Sequence, residues 1–241
     1  ASDFFYYNCG TKYDKQTMED PLARIKMDRI QKEYLRKRYP TIYSSKDPIK
    51  DQISLGIGVA TIPRIFGCKI RYQDHMNPIA LSLFGPNDDL NQLKEPNLDD
   101  QMRWLLEEID ILCAHGLKKN EIGLPDLQGE LNIATKLVGD DRMLGLMANK
   151  NKEPLVRHIL DVTTNTYIKC VQILRKATNK PAISNFTVSG CTYFYISPSH
   201  WSKFILPQIK KLEILGKNIG LHHCGEATAA KIDTFAQFPW S

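Results

Sequence analysis

Two side chains near the end of the sequence have the types and spacing for metal chemistry. They are His222 and Cys224, in the run Gly220-Leu221-His222-His223-Cys224-Gly225. On an extended backbone, residues two apart project to the same side. His222 and Cys224 can therefore face one ion together while His223 faces away. An imidazole nitrogen with a thiolate sulfur suits Zn²⁺, and an open catalytic zinc site needs one more protein ligand. The competing reading is a small buried thiol beside a partly buried histidine pair, because free cysteine packs as a small hydrophobe.

The elements around this pair would have to position it. Residues 198–215 read as an amphipathic helix followed by a turn at Gly216, residues 218–221 as a brief buried strand, and residues 226–232 as the next helix, with Gly225 permitting a tight turn. The C-terminal end of a strand that leads into a helix is where α/β folds place their chemistry.

Composition narrows the class. The chain has 241 residues, 42% hydrophobic and 24% charged, a range that fits a soluble globular protein. No apolar run reaches membrane-spanning length, and the first residues lack a charged segment followed by an apolar one, so the expectation is a cytoplasmic protein. Six cysteines are scattered without framework spacing, which fits reduced thiols rather than a disulfide scaffold. The net charge of +5 is dispersed, and no stripe of alternating basic and aromatic residues marks a nucleic-acid surface.

Residues 1–19 read as an N-terminal arm and residues 20–241 as a single domain. Asp20-Pro21 is a helix start, continued by Leu22, Ile25, Ile30 and Leu35 to Arg38 and stopped by Pro40. Residues 53–62 look like a buried strand running into a turn, 68–72 like a strand, and 78–96 mainly like loop. Helical spacing recurs over 98–115, 131–137, a segment opened by Gly139-Asp140-Asp141, and 154–177. Residues 122–124 and 181–188 are strand-like, and 189–196 read as a loop. Strands and helices alternate with no hairpin signature, which favours a parallel α/β sheet or barrel.

Four stretches together resemble the uroporphyrinogen decarboxylase superfamily, whose members include zinc-dependent methyltransferases that work with methylcorrinoid proteins in anaerobes. Residues 57–70 look like the family's strand, proline, short helix and glycine. Asp126-Leu127-Gln128-Gly129 is similar to its Gln-Gly-Pro-like loop, Ile196-Ser197-Pro198 through Phe204, Leu206 and Pro207 to its helix, and His222-His223-Cys224-Gly225 to its His-x-Cys-Gly. The resemblance implies an eight-stranded (β/α) TIM-type barrel, here lacking its last strand–helix units. It also implies zinc at the His-x-Cys pair, cobalamin carried by a partner protein, and a thiol or folate as the small-molecule methyl acceptor.

The departures shape the expectation. The decarboxylase carries an aspartate five residues before the proline equivalent to Pro63, where this chain has Gly58, so the decarboxylase is the least favoured reading. In the methyltransferases a downstream cysteine completes the zinc site, and no cysteine follows Cys224 here. Cys191, in the loop after a strand, is the candidate replacement, with a small buried thiol as its alternative. Asp126, Gln128, Tyr193, His223 and Glu226 are candidates for substrate or corrinoid contact, and no catalytic residue is assigned. The alternative function is a catalytically incomplete interaction subunit of a barrel enzyme. No nucleic-acid or membrane partner is expected.

Overall fold

The computed structural model describes residues 2–42, 53–126, 128–180, 185–216, 218–226 and 228–240. The first four residues of the strand expected over 181–188 and Leu127 of the 126–129 loop lie outside them.

The segment expected to be an arm holds helices α1 (Ser2–Cys9) and α2 (Lys15–Glu19), and Phe4 and Tyr34 meet edge to face at 5.8 Å where α1 lies on α3 (Pro21–Arg38). Asp20 opens α3 by accepting from the Leu22 N–H at 2.8 Å, with Pro21 at the first helical position. The 53–62 stretch is only briefly a strand. Ser54 bridges to Gly123, a 3₁₀ turn covers Gly58–Ala60, and α4 (Thr61–Ile65) follows.

Next comes an antiparallel hairpin, β1 (Ile70–Gln73) with β2 (Met76–Ala80), which corrects the expectation of loop from 78 and of no hairpin. Its turn is Asp74-His75, which lacks the Asn-Gly or Asp-Gly dipeptide that marks such turns in sequence. The expected 98–115 helix breaks at Met102 into α5 (Leu98–Gln101) and α6 (Arg103–Ala114).

Helices α7 (Glu130–Val138) and α8 (Asp140–Ala148) meet at Gly139, whose φ of 98° no helix can pass through. Helix α9 (Glu153–Ala177) is the longest, and its buried stripe, including Val156, Ile159, Leu160, Tyr167 and Leu174, packs against α6, α7, α8 and a later helix. After β3 (Asn185–Ser189) and a 3₁₀ turn at Cys191–Tyr195, the expected 198–215 helix comes in pieces. One turn, α10 (Pro198–His200), passes through a π segment (Trp201–Ile205) into α11 (Leu206–Leu212). Pro207 explains the break, because it lacks an N–H and its ring displaces the carbonyl four residues back. The chain ends in β4 (Asn218–His222) and α12 (Ala229–Phe235), the latter three residues later than its pattern suggests.

The architecture is mixed α/β, but the closed eight-stranded barrel is not formed among the described residues, which hold two two-stranded sheets. What they do show is a series of parallel contacts in chain order. Ser54 bridges to Gly123, Gln128 bridges to Ser189, and β3 pairs with β4 over its whole length. The strands are short, and helices α6, α7, α8 and α11 pack on α9 to form a large part of the apolar core.

One ion pair ties the first half together. Arg24 on α3 donates from Nη2 to Glu108 Oε2 on α6 at 2.8 Å and from Nη1 to the Met18 carbonyl at 2.6 Å. Glu108 Oε2 also accepts the Gly56 N–H at 2.9 Å, and both side chains are at least nine-tenths buried. Removing one partner strands the other charge in the interior. Glu108→Ala is expected to cost about 3–5 kcal/mol, read as a lowered urea midpoint by far-UV circular dichroism. A midpoint within error of the wild type would show that the pair does not carry this packing.

Candidate metal centre

The register of the parallel pair builds the site. Ser189 lies opposite His222, and the Gly190 N–H donates to the His222 carbonyl at 2.9 Å. Immediately beyond that last rung the two chains turn, one into Cys191 and the other through His223 into Cys224. The ligand atoms of Cys191, His222 and Cys224 consequently all lie within 4.8 Å of one another. Cys191 Sγ stands 3.0 Å from Cys224 Sγ, and His222 Nε2 stands 2.9 Å from Cys224 Sγ.

The donor set passes the test for zinc. Two thiolates and one imidazole are a zinc set, and ligands about 2.0–2.3 Å from a tetrahedral ion fall within such a spread. His222 and Cys224 are exposed and Cys191 is half-buried, so the cluster is not sealed off from solvent. Burial, first, and the neighbouring Cys224 thiol push the Cys191 thiol up to about 11, so binding a cation there would expel a proton.

Cys191 and Cys224 border a cavity of about 710 Å³ whose other walls include Phe194, Tyr195, Glu226 and, from α7 and α8, Lys136 and Asp140. Tyr195 is exposed at this rim. His223 turns to the opposite face, where its ring stacks on Phe194 at 6.4 Å and meets Phe235 edge-on at 5.0 Å. Its Nδ1 lies 3.3 Å from the Gly190 carbonyl oxygen.

Of the other sequence candidates, Glu226 borders the cavity, whereas Asp126, Gln128, Tyr193 and His223 are not among its lining residues. Glu226 is exposed on the cavity wall. Gln128 bridges β3 at Ser189, and its Nε2 donates to Asp126 Oδ1 at 3.0 Å. Tyr193 is buried and donates from Oη to Glu130 Oε1 at 2.8 Å, away from the cavity that Cys191 borders. Among the remaining cysteines, Cys68 and Cys170 are buried packing residues, and burial raises both thiols.

Two residues here escaped the sequence reading. Glu130 and Asn132 sit in the first turn of α7 and contact the Cys191 turn. Their one signal is that they are polar in a helix whose first six residues are all buried.

Against known proteins, no family profile matches the chain and no curated protein does. Among solved structures, a methyltransferase from Methanosarcina mazei is similar, with a TM-score of 0.60 and 15% identity over 92% of this chain. The match spans 62% of that methyltransferase's length. At that identity the likeness is one of fold. The class defined by fold and site is thus a mixed α/β protein of that methyltransferase's fold, with a Cys/His/Cys cluster at the ends of two parallel strands. No helix among the described residues is long and apolar enough to cross a membrane.

Glu130 gives this region a pH signature. It is fully buried, and desolvation raises its carboxyl to about 7 despite the Tyr193 hydrogen bond, which favours the charged form. Its Oε2 has no partner, and Tyr167 and Tyr193 are the phenols beside it. Because the folded pKa lies above the unfolded value of 4.5, the folded state binds the extra proton between these pH values. Stability therefore falls as pH rises from about 4.5 through 7, by about 1.4 kcal/mol per pH unit. Glu130→Gln keeps the acceptor for Tyr193 and removes the charge. Its unfolding free energy should lose most of that slope between pH 5 and 8, measured by urea titration at several pH values. An unaltered slope would mean that Glu130 does not titrate in this window.

Proposed function

We propose that this chain is a zinc-dependent methyltransferase-like protein of the uroporphyrinogen decarboxylase superfamily, built on part of its (β/α) barrel. It moves a methyl group between a corrinoid protein and a thiol or folate acceptor. The single observation that carries the reading is the convergence of Cys191, His222 and Cys224 beside a cavity large enough for a small acceptor. The shared fold with a methyltransferase supports it.

In this reading Cys191, His222 and Cys224 would hold the zinc beside the cavity. Zinc bound there supplies the Lewis acidity that keeps an acceptor thiol ionised near neutral pH. The chain's own groups do the rest. Asp126, Gln128 and Glu226 position the acceptor. The exposed edges of Phe194 and Tyr195 offer aromatic surface to the planar ring of a cobalamin carried in by a partner protein. His223, packed between Phe194 and Phe235, braces that surface from behind. The proposed setting is the cytoplasm of an anaerobe, where thiols stay reduced.

A second reading, an interaction subunit without turnover, is favoured by the open series of parallel contacts. Among the described residues it begins at Ser54 and stops at β4. Such edges are completed by another chain or another segment.

Elemental analysis of anaerobically purified protein separates the two. The expected result is about one zinc per chain, lost in Cys191→Ser and in Cys224→Ser, while Asp126→Ala keeps the metal. Wild-type protein without metal, co-purifying only as part of a larger assembly, would overturn the methyltransferase reading in favour of the subunit.

A further inference from the structure

The turn that carries Cys191 is clamped by a buried side-chain amide outside the metal trio. Asn132 on α7 is 4% exposed. Its Oδ1 accepts the Thr192 N–H at 2.9 Å, and its Nδ2 donates to the Ser189 carbonyl at 2.8 Å and to Gln128 Oε1 at 2.7 Å. A backbone N–H can only donate and a carbonyl can only accept, so these partners dictate which way the amide points. The two backbone contacts fall on either side of Cys191, at Ser189 and Thr192.

From Gln128 the chain of side chains continues to Asp126. The same helix adds a second anchor one residue past Thr192, through the Tyr193–Glu130 hydrogen bond. On the far side of the turn, Lys231 of α12 donates to the carbonyls of Tyr193 and Phe194. That contact falls at Tyr193 and Phe194, while the Gly190 N–H donates to the His222 carbonyl and the Ser189 carbonyl also accepts the Gly129 N–H. Asn132 is the side chain that bonds the backbone on both sides of the half-buried ligand.

We propose that Asn132 is the positioning residue for Cys191. By holding Ser189 and Thr192, it keeps Cys191 Sγ against Cys224 Sγ and His222 Nε2 and so sets the affinity of the trio for zinc. The affinity part rests on the metal reading above; the placement of the thiol does not.

The test uses the full chain, with zinc affinity measured by competition against a chromophoric chelator. Asn132→Asp keeps the size and the Oδ1 acceptor but loses the Nδ2 donor, whereas Asn132→Ala removes both. Cys191→Ser sets the floor. Both Asn132 variants, if folded by far-UV circular dichroism, should bind zinc about 10- to 100-fold more weakly. Their cobalt-substituted forms should show a weaker thiolate-to-cobalt absorption band. Wild-type affinity in a folded Asn132→Asp overturns the proposal. So does failure of both variants to fold, which would assign Asn132 to the core.

If the wild type takes up no zinc, the metal reading fails and the placement of the thiol is judged separately. Metal-free proteins are treated with glutathione disulfide, which is reduced to two glutathiones as Cys191 and Cys224 give up two protons and two electrons to form their disulfide. Slower closure in the Asn132 variants supports the placement, and an unchanged rate overturns it.

Discussion

The register between β3 and β4 is the constraint on which the site depends. Because side chains alternate along a strand, a one-residue slip would exchange the two faces of β4. His222, the last residue of β4, would then turn away from Cys191. The register is held by apolar burial on the other face, where Val188 and Ile219 are almost fully enclosed. A slip would replace Ile219 there with Asn218 or Gly220. It would forfeit about 1.5–3 kcal/mol for each displaced aliphatic side chain. The metal-type cluster is therefore specified by residues that never touch it.

Close approach is the second requirement. Helix α7 reaches β3 only because position 129 has no side chain. A Cβ there would sit 3.0 Å from the Ser189 carbonyl oxygen and 3.0 Å from Tyr193 Oη. Gly190 does the same for the turn itself, since a Cβ would meet the Tyr193 ring at 2.1 Å. With both positions bare, α7 can bury Glu130 and Asn132 directly against the Cys191 turn. Buried polar groups persist where they are bonded, and Asn132 satisfies its amide completely, whereas Glu130 leaves Oε2 unpaired. Asn132 carries no ionisable group, whereas burial raises the Glu130 carboxyl and makes it a titrating group.

Much of this was legible in the sequence, at the level of local pattern. The period of two anticipated that His222 and Cys224 would share a side, although β4 ends at His222 and Cys224 lies two residues beyond it. The long apolar stripe gave α9 within one residue at its start, and Asp20-Pro21 fixed the beginning of α3. What the sequence could not supply was pairing. Cys191 was one of two readings because its neighbour across the sheet, Cys224, is 33 residues on. Asn132 showed no sign of its role because the backbone it holds lies 57 residues away. The β1–β2 hairpin was missed because Asp74-His75 carries no turn dipeptide. The break in the 198–215 helix follows from Pro207, which interrupts an otherwise continuous helical pattern.

The gradient of exposure across the trio has a chemical consequence. Cys224 and His222 face solvent, whereas Cys191 is half-buried. Cys191 is the costly ligand, because its half-buried thiol is pushed up to about 11. In the proposed metal reading a cation would have to supply the energy to deprotonate it, and a thiol already in place would recover most of that cost on binding. Preorganisation is therefore worth most at Cys191, and that is the ligand on which α7 concentrates its polar contacts. The same asymmetry leaves the solvent side of the cluster unobstructed, where the cavity bounded by Phe194, Tyr195 and Glu226 begins. A closed structural site would bury all its ligands alike. Here one ligand is anchored in the fold and two are offered to whatever enters.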